Sequence, residues 1–148
     1  ECVKISSGYV VGGNGSAAPI IGVLNGIFYN DASTLKPTFA NFYKATITPA
    51  NSEDTTAFVI DDPFQQYVVA ADAATGVATF LETYDMNSSA GSDTTGKSSS
   101  TLDIGTTSAN GKQFRMLRSA EDPENEDATA VRHSVIVVSN LNSFNGHN

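Results

Sequence analysis

The stretch Asn87–Asn110, NSSAGSDTTGKSSSTLDIGTTSAN, decides the fold. It is almost wholly Ser, Thr, Gly, Ala, Asp and Asn, it lies between two hydrophobic stretches, and strand-like segments follow it instead of a catalytic constellation. Short hydroxyl and amide side chains bond to nearby backbone, so at this density they serve turns, sheet edges and surface hydrogen bonds. No hydroxyl in the run shows a sign of activation, since Ser98, Ser99 and Ser100 lack the Gly-x-Ser-x-Gly elbow of a nucleophile. The run therefore reads as part of a β-rich structural module.

The segments on either side agree with that reading. Val3–Val11 alternates loosely and ends in Gly12-Gly13-Asn14-Gly15, a strand and a turn whose glycines tolerate positive φ. Pro19–Tyr29 is rich in Ile, Val, Leu, Phe and Tyr, and Asn25-Gly26 in its middle marks a tight hairpin or a bulge, most simply a buried strand pair. In Thr38–Thr48 the residues Phe39, Asn41, Tyr43, Ala45 and Ile47 fall on one face of a sheet and Phe42 on the other, with Pro49 closing the run. Thr55–Ile60 stops at Asp61-Asp62-Pro63, and Phe64–Ala70 resumes the pattern. Val77–Tyr84 fits either a strand or one short helix. Leu102–Ile104 towards the end of the polar run, and Gln113–Arg118 and Val131–Val138 after it, supply further strands, the last holding the unbroken Val135-Ile136-Val137-Val138. The expected architecture is a single all-β domain over residues 1–148. It is a β-sandwich, jelly-roll-like, or a β-barrel, built of about eight short strands with long polar loops. Residues 1–18 form an expected N-terminal arm and residues 140–148 a C-terminal tail.

Composition narrows the function. Hydrophobic residues make up 40% and charged residues 16% of the 148, which is lean in charge and suits strands joined by many turns. Eight Lys and Arg against sixteen Asp and Glu give a formal net charge of -8, so a polyanion is repelled and nucleic-acid binding is not expected. No segment reaches the roughly 18 to 20 apolar residues of a membrane span. Cys2 stands alone, so no disulfide forms within the chain, and a thiol next to the terminus without a base partner reads as inert. The chain opens on Glu1 instead of Met, which implies residues before it.

Each candidate for chemistry has a simpler structural explanation. The cluster Glu121, Asp122, Glu124, Glu126 and Asp127 offers oxygen ligands for calcium, but its spacing lacks the Asp-x-Asp-x-Asp-Gly pattern and fits a solvated acidic loop. Asp61 and Asp62 are adjacent, so on a strand they point to opposite faces and cannot share a proton; turn capping is the better reading. His133 lies in the last strand and His147 near the terminus, which leaves no zinc spacing. Gly12-Gly13-Asn14-Gly15 lacks the lysine of a phosphate loop. Neither a metal, a cofactor nor an enzymatic activity is expected. A hydrolase using Asp61, Asp62 or His133 is the least favoured reading, because nucleophile, base and orienter do not occur together.

Three groups of segments carry a resemblance. Ile21–Tyr29 is followed by Lys36–Tyr43; Ala57–Pro63 comes next; then Gly91–Ser98, Ser100–Asp103, Phe114–Leu117, Asp122–Glu126 and Val135–Val138 with Asn140. In order and spacing, from about Pro19 onward, these resemble a family of small structural proteins of tailed bacteriophages, especially marine ones, of the head decoration or cement type. Phe42-Tyr43 stands where the family's aromatic pair ends in Trp, and the residues before Pro19 match only loosely. The resemblance implies a non-enzymatic virion protein on the outer capsid surface, with the major capsid protein as its partner. Self-association as a homotrimer, or alternatively a homodimer, would multiply weak contacts with the shell. Aromatic and arginine side chains are the usual interface anchors, which makes Tyr9, Tyr29, Phe42, Tyr43, Arg115, Arg118 and Arg132 candidates, several of them competing with the core for the same side chain. Leu141 and Phe144, two isolated apolar residues in the polar tail, join them. The alternative is a carbohydrate-binding or adhesin-like β-sandwich of a tail fibre or cell surface, since Ser, Thr and Asn beside exposed aromatics also hold sugars.

Overall fold

Strands dominate because β-branched and aromatic residues alternate with polar ones over short runs broken by Gly, Pro, Asn and Asp. The computed structural model describes residues 1–13, 19–87, 89, 91–108, 111–125 and 127–143. Ten strands occur among them: β1 Cys2–Ser6, β2 Tyr9–Gly12, β3 Gly22–Asn30, β4 Pro37–Ala40, β5 Thr56–Ile60, β6 Gln66–Ala70, β7 Thr83–Asn87, β8 Thr101–Ser108, β9 Phe114–Ser119 and β10 Ser134–Ser139. Single 3₁₀ turns cover Ala50–Ser52 and Val77–Thr79. The protein is all-β, with two antiparallel five-stranded sheets of β-sandwich type that do not close into a barrel. β1 to β5 form the first sheet and β6 to β10 the second, so the described strands are not interleaved between sheets as in a jelly roll.

Several boundaries differ from the sequence reading, each for a local reason. Of the two alternatives at Asn25-Gly26 the bulge forms and the hairpin does not: β3 runs on as one nine-residue strand in place of a strand pair, and a bulge between Leu24 and Gly26 absorbs Asn25. Thr38–Thr48 is extended only to Ala40, because the chain turns back to bridge Pro49 to Asp31. Val77–Tyr84 divides between the 3₁₀ turn and the start of β7. Strand β8 takes eight residues of the polar run, well past Ile104, because cross-strand bonds to β7 suit Thr and Ser as well as apolar residues.

Strand β3 organises the first sheet. It bonds to β1 through Gly22 and Val23, to β4 through Ile27–Asn30, and to β5 through Val23–Phe28. Since β5 overlaps both other partners along β3, β1 and β4 share one edge and β5 takes the other. Gly22 is required at the crossing: a Cβ there would lie 2.0 Å from the Ile60 carbonyl oxygen of β5. Ser7 and Gly8 make the β1–β2 turn, both with positive φ (51° and 85°), as the right-handed twist of a two-residue hairpin demands.

The second sheet, in the order β6-β10-β9-β7-β8, curls until Ala71, just past β6, bridges Leu102 in β8. Asp72 fastens this seam, its N–H donating to the Leu102 carbonyl (3.0 Å) and its Oδ1 accepting from the Ile104 N–H (3.0 Å). The main core lines the inner face: Tyr84, Met86, Leu102, Phe114, Met116, Val135 and Val137, joined by Cys2 and Ile20 from the first half of the chain. Of the unbroken apolar run in β10, Val135 and Val137 are fully buried, while Ile136 and Val138 are half-buried on the outer face. Gln113, itself buried, ties the halves together: its amide nitrogen donates to the Gly13 carbonyl and its Oε1 accepts from the Met86 N–H.

Burial drives the Cys2 thiol up to about 11, because a thiolate loses its hydration there. Iodoacetamide at about pH 8 should therefore leave Cys2 intact in the folded protein and alkylate it in concentrated urea. Rapid labelling under native conditions would show that β1 detaches from the core.

The turn after β3 carries a pH-dependent element. Asp31 Oδ1 accepts bonds from the hydroxyls and backbone N–H groups of Ser33 and Thr34, and these, the Ser33 hydroxyl foremost, hold its carboxyl below the usual value. A carboxyl depressed by folding contributes above its unfolded pKa and loses that contribution as pH falls through the folded one. The Ser33 and Thr34 amide resonances should accordingly shift together on acidification below the ordinary carboxylate range, and Asp31→Asn should abolish the titration.

Candidate interaction surface

The first sheet has two unlike faces. On one, Ile27 and Tyr29 are buried, and the segment bearing buried Ala50 folds back beside β3 through the Asp31–Pro49 bridge. The other carries Phe28, Phe39, Phe58 and Ile60, which are 38%, 61%, 45% and 37% exposed. Register puts them together: Phe28 lies opposite Phe39 in β4 and Thr56 in β5, and Gly26 lies opposite Phe58. Residues two apart on a strand share a face, so Ile60 continues the patch from Phe58. The Phe39 and Phe58 rings meet over Gly26 with centroids 5.8 Å apart and planes tilted by 50°. A Cβ on Gly26 would stand 2.6 Å from the Phe39 ring, so the absent side chain is what allows the two rings to close over β3.

Such a face exposes aromatic carbon that neither the chain nor solvent satisfies, and contiguous apolar patches of this kind on a rigid sheet mark interaction sites. Its electrostatic rim is one-sided. Glu53 and Asp54 precede β5 and Asp61 and Asp62 follow it, all exposed. Lys4 on β1 and Lys36 before β4 belong to the opposite edge of β3.

The residues singled out from sequence are dispersed. Tyr9 on β2 and Tyr43 are exposed, at 61% and 56%. Tyr29 is buried and fills the inner face of the first sheet. Phe42 is half-buried with Lys44 Nζ 5.2 Å from its ring centroid, and it packs so closely on Gly96 that a Cβ there would meet the ring at 2.3 Å. Arg115 is half-buried, donating to the Leu81 carbonyl and to Asn140 Oδ1. Arg118 is exposed and pairs with Glu121 at 3.5 Å; Arg132 is exposed; Leu141 is half-buried, its backbone bonded to Gln113 and Ile20. Phe144 lies outside the described residues, as do His147 and Glu126.

Of the groups considered for chemistry, three aspartates bond to backbone of their own turns. Asp62 Oδ1 accepts from the Phe64 N–H at 2.8 Å and so caps the turn into β6. Asp122 and Asp127 do the same for Glu124 and Thr129, and the Thr129 hydroxyl holds the Asp127 carboxyl below its usual value. His133 is fully buried just before β10, with one ring nitrogen 2.9 Å from the Ala130 carbonyl and the other 2.7 Å from the Thr75 hydroxyl. Among the described residues no three His, Cys, Asp or Glu side chains converge as a metal site, and no helix is long and apolar enough to cross a membrane.

Compared with protein-family models, curated proteins and solved structures, the chain shows no significant match. Sequence reasoning passed over Phe28, Phe39 and Phe58 because an alternating strand shows which residues share a face but not which face the rest of the chain covers.

Proposed function

We propose that this chain is a non-enzymatic structural protein of a tailed-bacteriophage head, which decorates the outer capsid surface and braces neighbouring major capsid subunits. The observation that carries the reading is the uncovered aromatic face of the first sheet. A cement protein needs a rigid scaffold that presents desolvatable anchors to a neighbour, and Phe28, Phe39 and Phe58 are held by cross-strand pairing on three adjacent strands and not on a loop. The resemblance of residues from Pro19 onward to phage decoration proteins supports the same conclusion. A homotrimer, with a homodimer as the second choice, would turn three weak contacts into one durable attachment.

The test is co-sedimentation with purified heads lacking the protein, followed by cryo-electron microscopy of the decorated particles. Regular copies on the outer lattice, each touching more than one capsid subunit, are the expected result; no binding to the lattice at saturating protein would overturn the reading.

One observation favours the second reading, carbohydrate binding. A cleft of about 290 Å³ lies between the segment Asn41–Ala45 and the loop Gly91–Ser98, with Phe42, Tyr43, Asn41 and Asp93 on its walls. Aromatic rings beside amide and carboxylate groups suit the alternating apolar and hydroxyl faces of a sugar ring. Glycan binding by the isolated protein, lost in Tyr43→Ala, would support it over the capsid reading.

A further inference from the structure

We propose that the outer edge of β5 accepts an extended cationic segment of a partner protein as an added strand. Strand β5 pairs with β3 on one side, and among the described residues no strand is bonded to its other side. An open edge offers a row of backbone donors and acceptors, and chains protect such edges by shortness, bulges, inward charges or cover unless they are used. Here the edge strand carries Phe58 and Ile60, contiguous with Phe39 through the ring contact over Gly26, so an added strand would place every second side chain beside this aromatic face.

Charge decides the occupant. The two ends of β5 are acidic, with Glu53 and Asp54 before it and Asp61 and Asp62 after it, and the nearest lysines of this sheet lie across β3. A second copy of β5 is disfavoured in either direction: antiparallel pairing sets Glu53-Asp54 of each copy against Asp61-Asp62 of the other, and parallel pairing sets like ends together. Like charges opposed across a strand pair are destabilising. The same four carboxylates favour a segment with Lys or Arg at its ends and alternating apolar residues between them, so they select for a basic partner and against self-pairing.

The inference deepens the capsid reading and rests on the aromatic face being a docking surface, and the test separates the two. The probe is a capped peptide of about seven residues with lysine at both ends and alternating valine and threonine between them, long enough to span β5 at roughly 3.3 Å per residue. Fluorescence anisotropy should show it binding, with hydrogen exchange of the Thr56–Ile60 amides slowed. A peptide with alternate amides N-methylated, or with glutamate in place of lysine, should not bind. Asp61→Asn with Asp62→Asn, which keeps the turn-capping oxygen, should weaken binding by roughly three- to tenfold. Equal binding of the N-methylated peptide would overturn the added strand while leaving the aromatic face as a docking surface. Head binding that persists while the lysine peptide fails to bind or to protect β5 would overturn this inference alone. Peptide binding with β5 protection but no head binding would uphold this inference and remove the capsid assignment.

Discussion

Phe114→Ala should destabilise the protein by about 3 to 5 kcal/mol, read as the shift in a urea unfolding curve. The ring is 2% exposed on the inner face of the second sheet, meets Tyr67 edge-on at 6.3 Å, and faces Tyr84 across β7 and β9. Deleting it removes apolar burial and leaves a cavity that strands cannot close without disturbing register, because one shift would carry every side chain to the wrong face. Phe28→Ala, on the exposed face, should cost under about 1 kcal/mol by comparison. Equal costs for the two would mean that the second sheet does not hold the main core.

Under the proposed capsid role, heads should lose this protein when Phe39 and Phe58 are both replaced by threonine. Both rings are about half exposed and contribute little to folding, and threonine keeps the β propensity of their strands, so the unfolding midpoint should stay nearly unchanged. Anchors of this kind commonly contribute 2 kcal/mol or more to an interface, so affinity per subunit should fall by about 30-fold or more, and further if several subunits bind together. Wild-type affinity in a variant of unchanged stability would remove the aromatic face from the contact. Tyr9→Ala and Tyr43→Ala, single exposed aromatics outside this patch, are the matching controls and should leave head binding within a few-fold.

The β-branched and aromatic run Thr55–Ile60 and the apolar run Val135–Val138 already pointed to strands, because such side chains pack well on a pleated sheet. Asp62 could likewise be read as a turn cap from the proline beside it, and its bond to Phe64 is local. Harder to read were elements set by distant residues. Asn25-Gly26 has the composition of a hairpin turn, yet β3 continues through it because β5 and β4 pair with its two edges and Phe39 and Phe58 need the space above Gly26. Thr38–Thr48 alternates beyond Ala40, yet the bridge from Asp31 to Pro49 turns the chain away. Tyr29 and Phe28 are neighbouring aromatics, and the more polar of the two is the one buried, so intrinsic hydrophobicity does not separate them. By itself, then, the sequence determined an acidic all-β protein with strands near these positions. Only the tertiary structure decided which sheet face was covered, which edge stayed open and where the acidic ends of β5 stood, because burial depends on what the rest of the chain packs against and local periodicity carries no record of that.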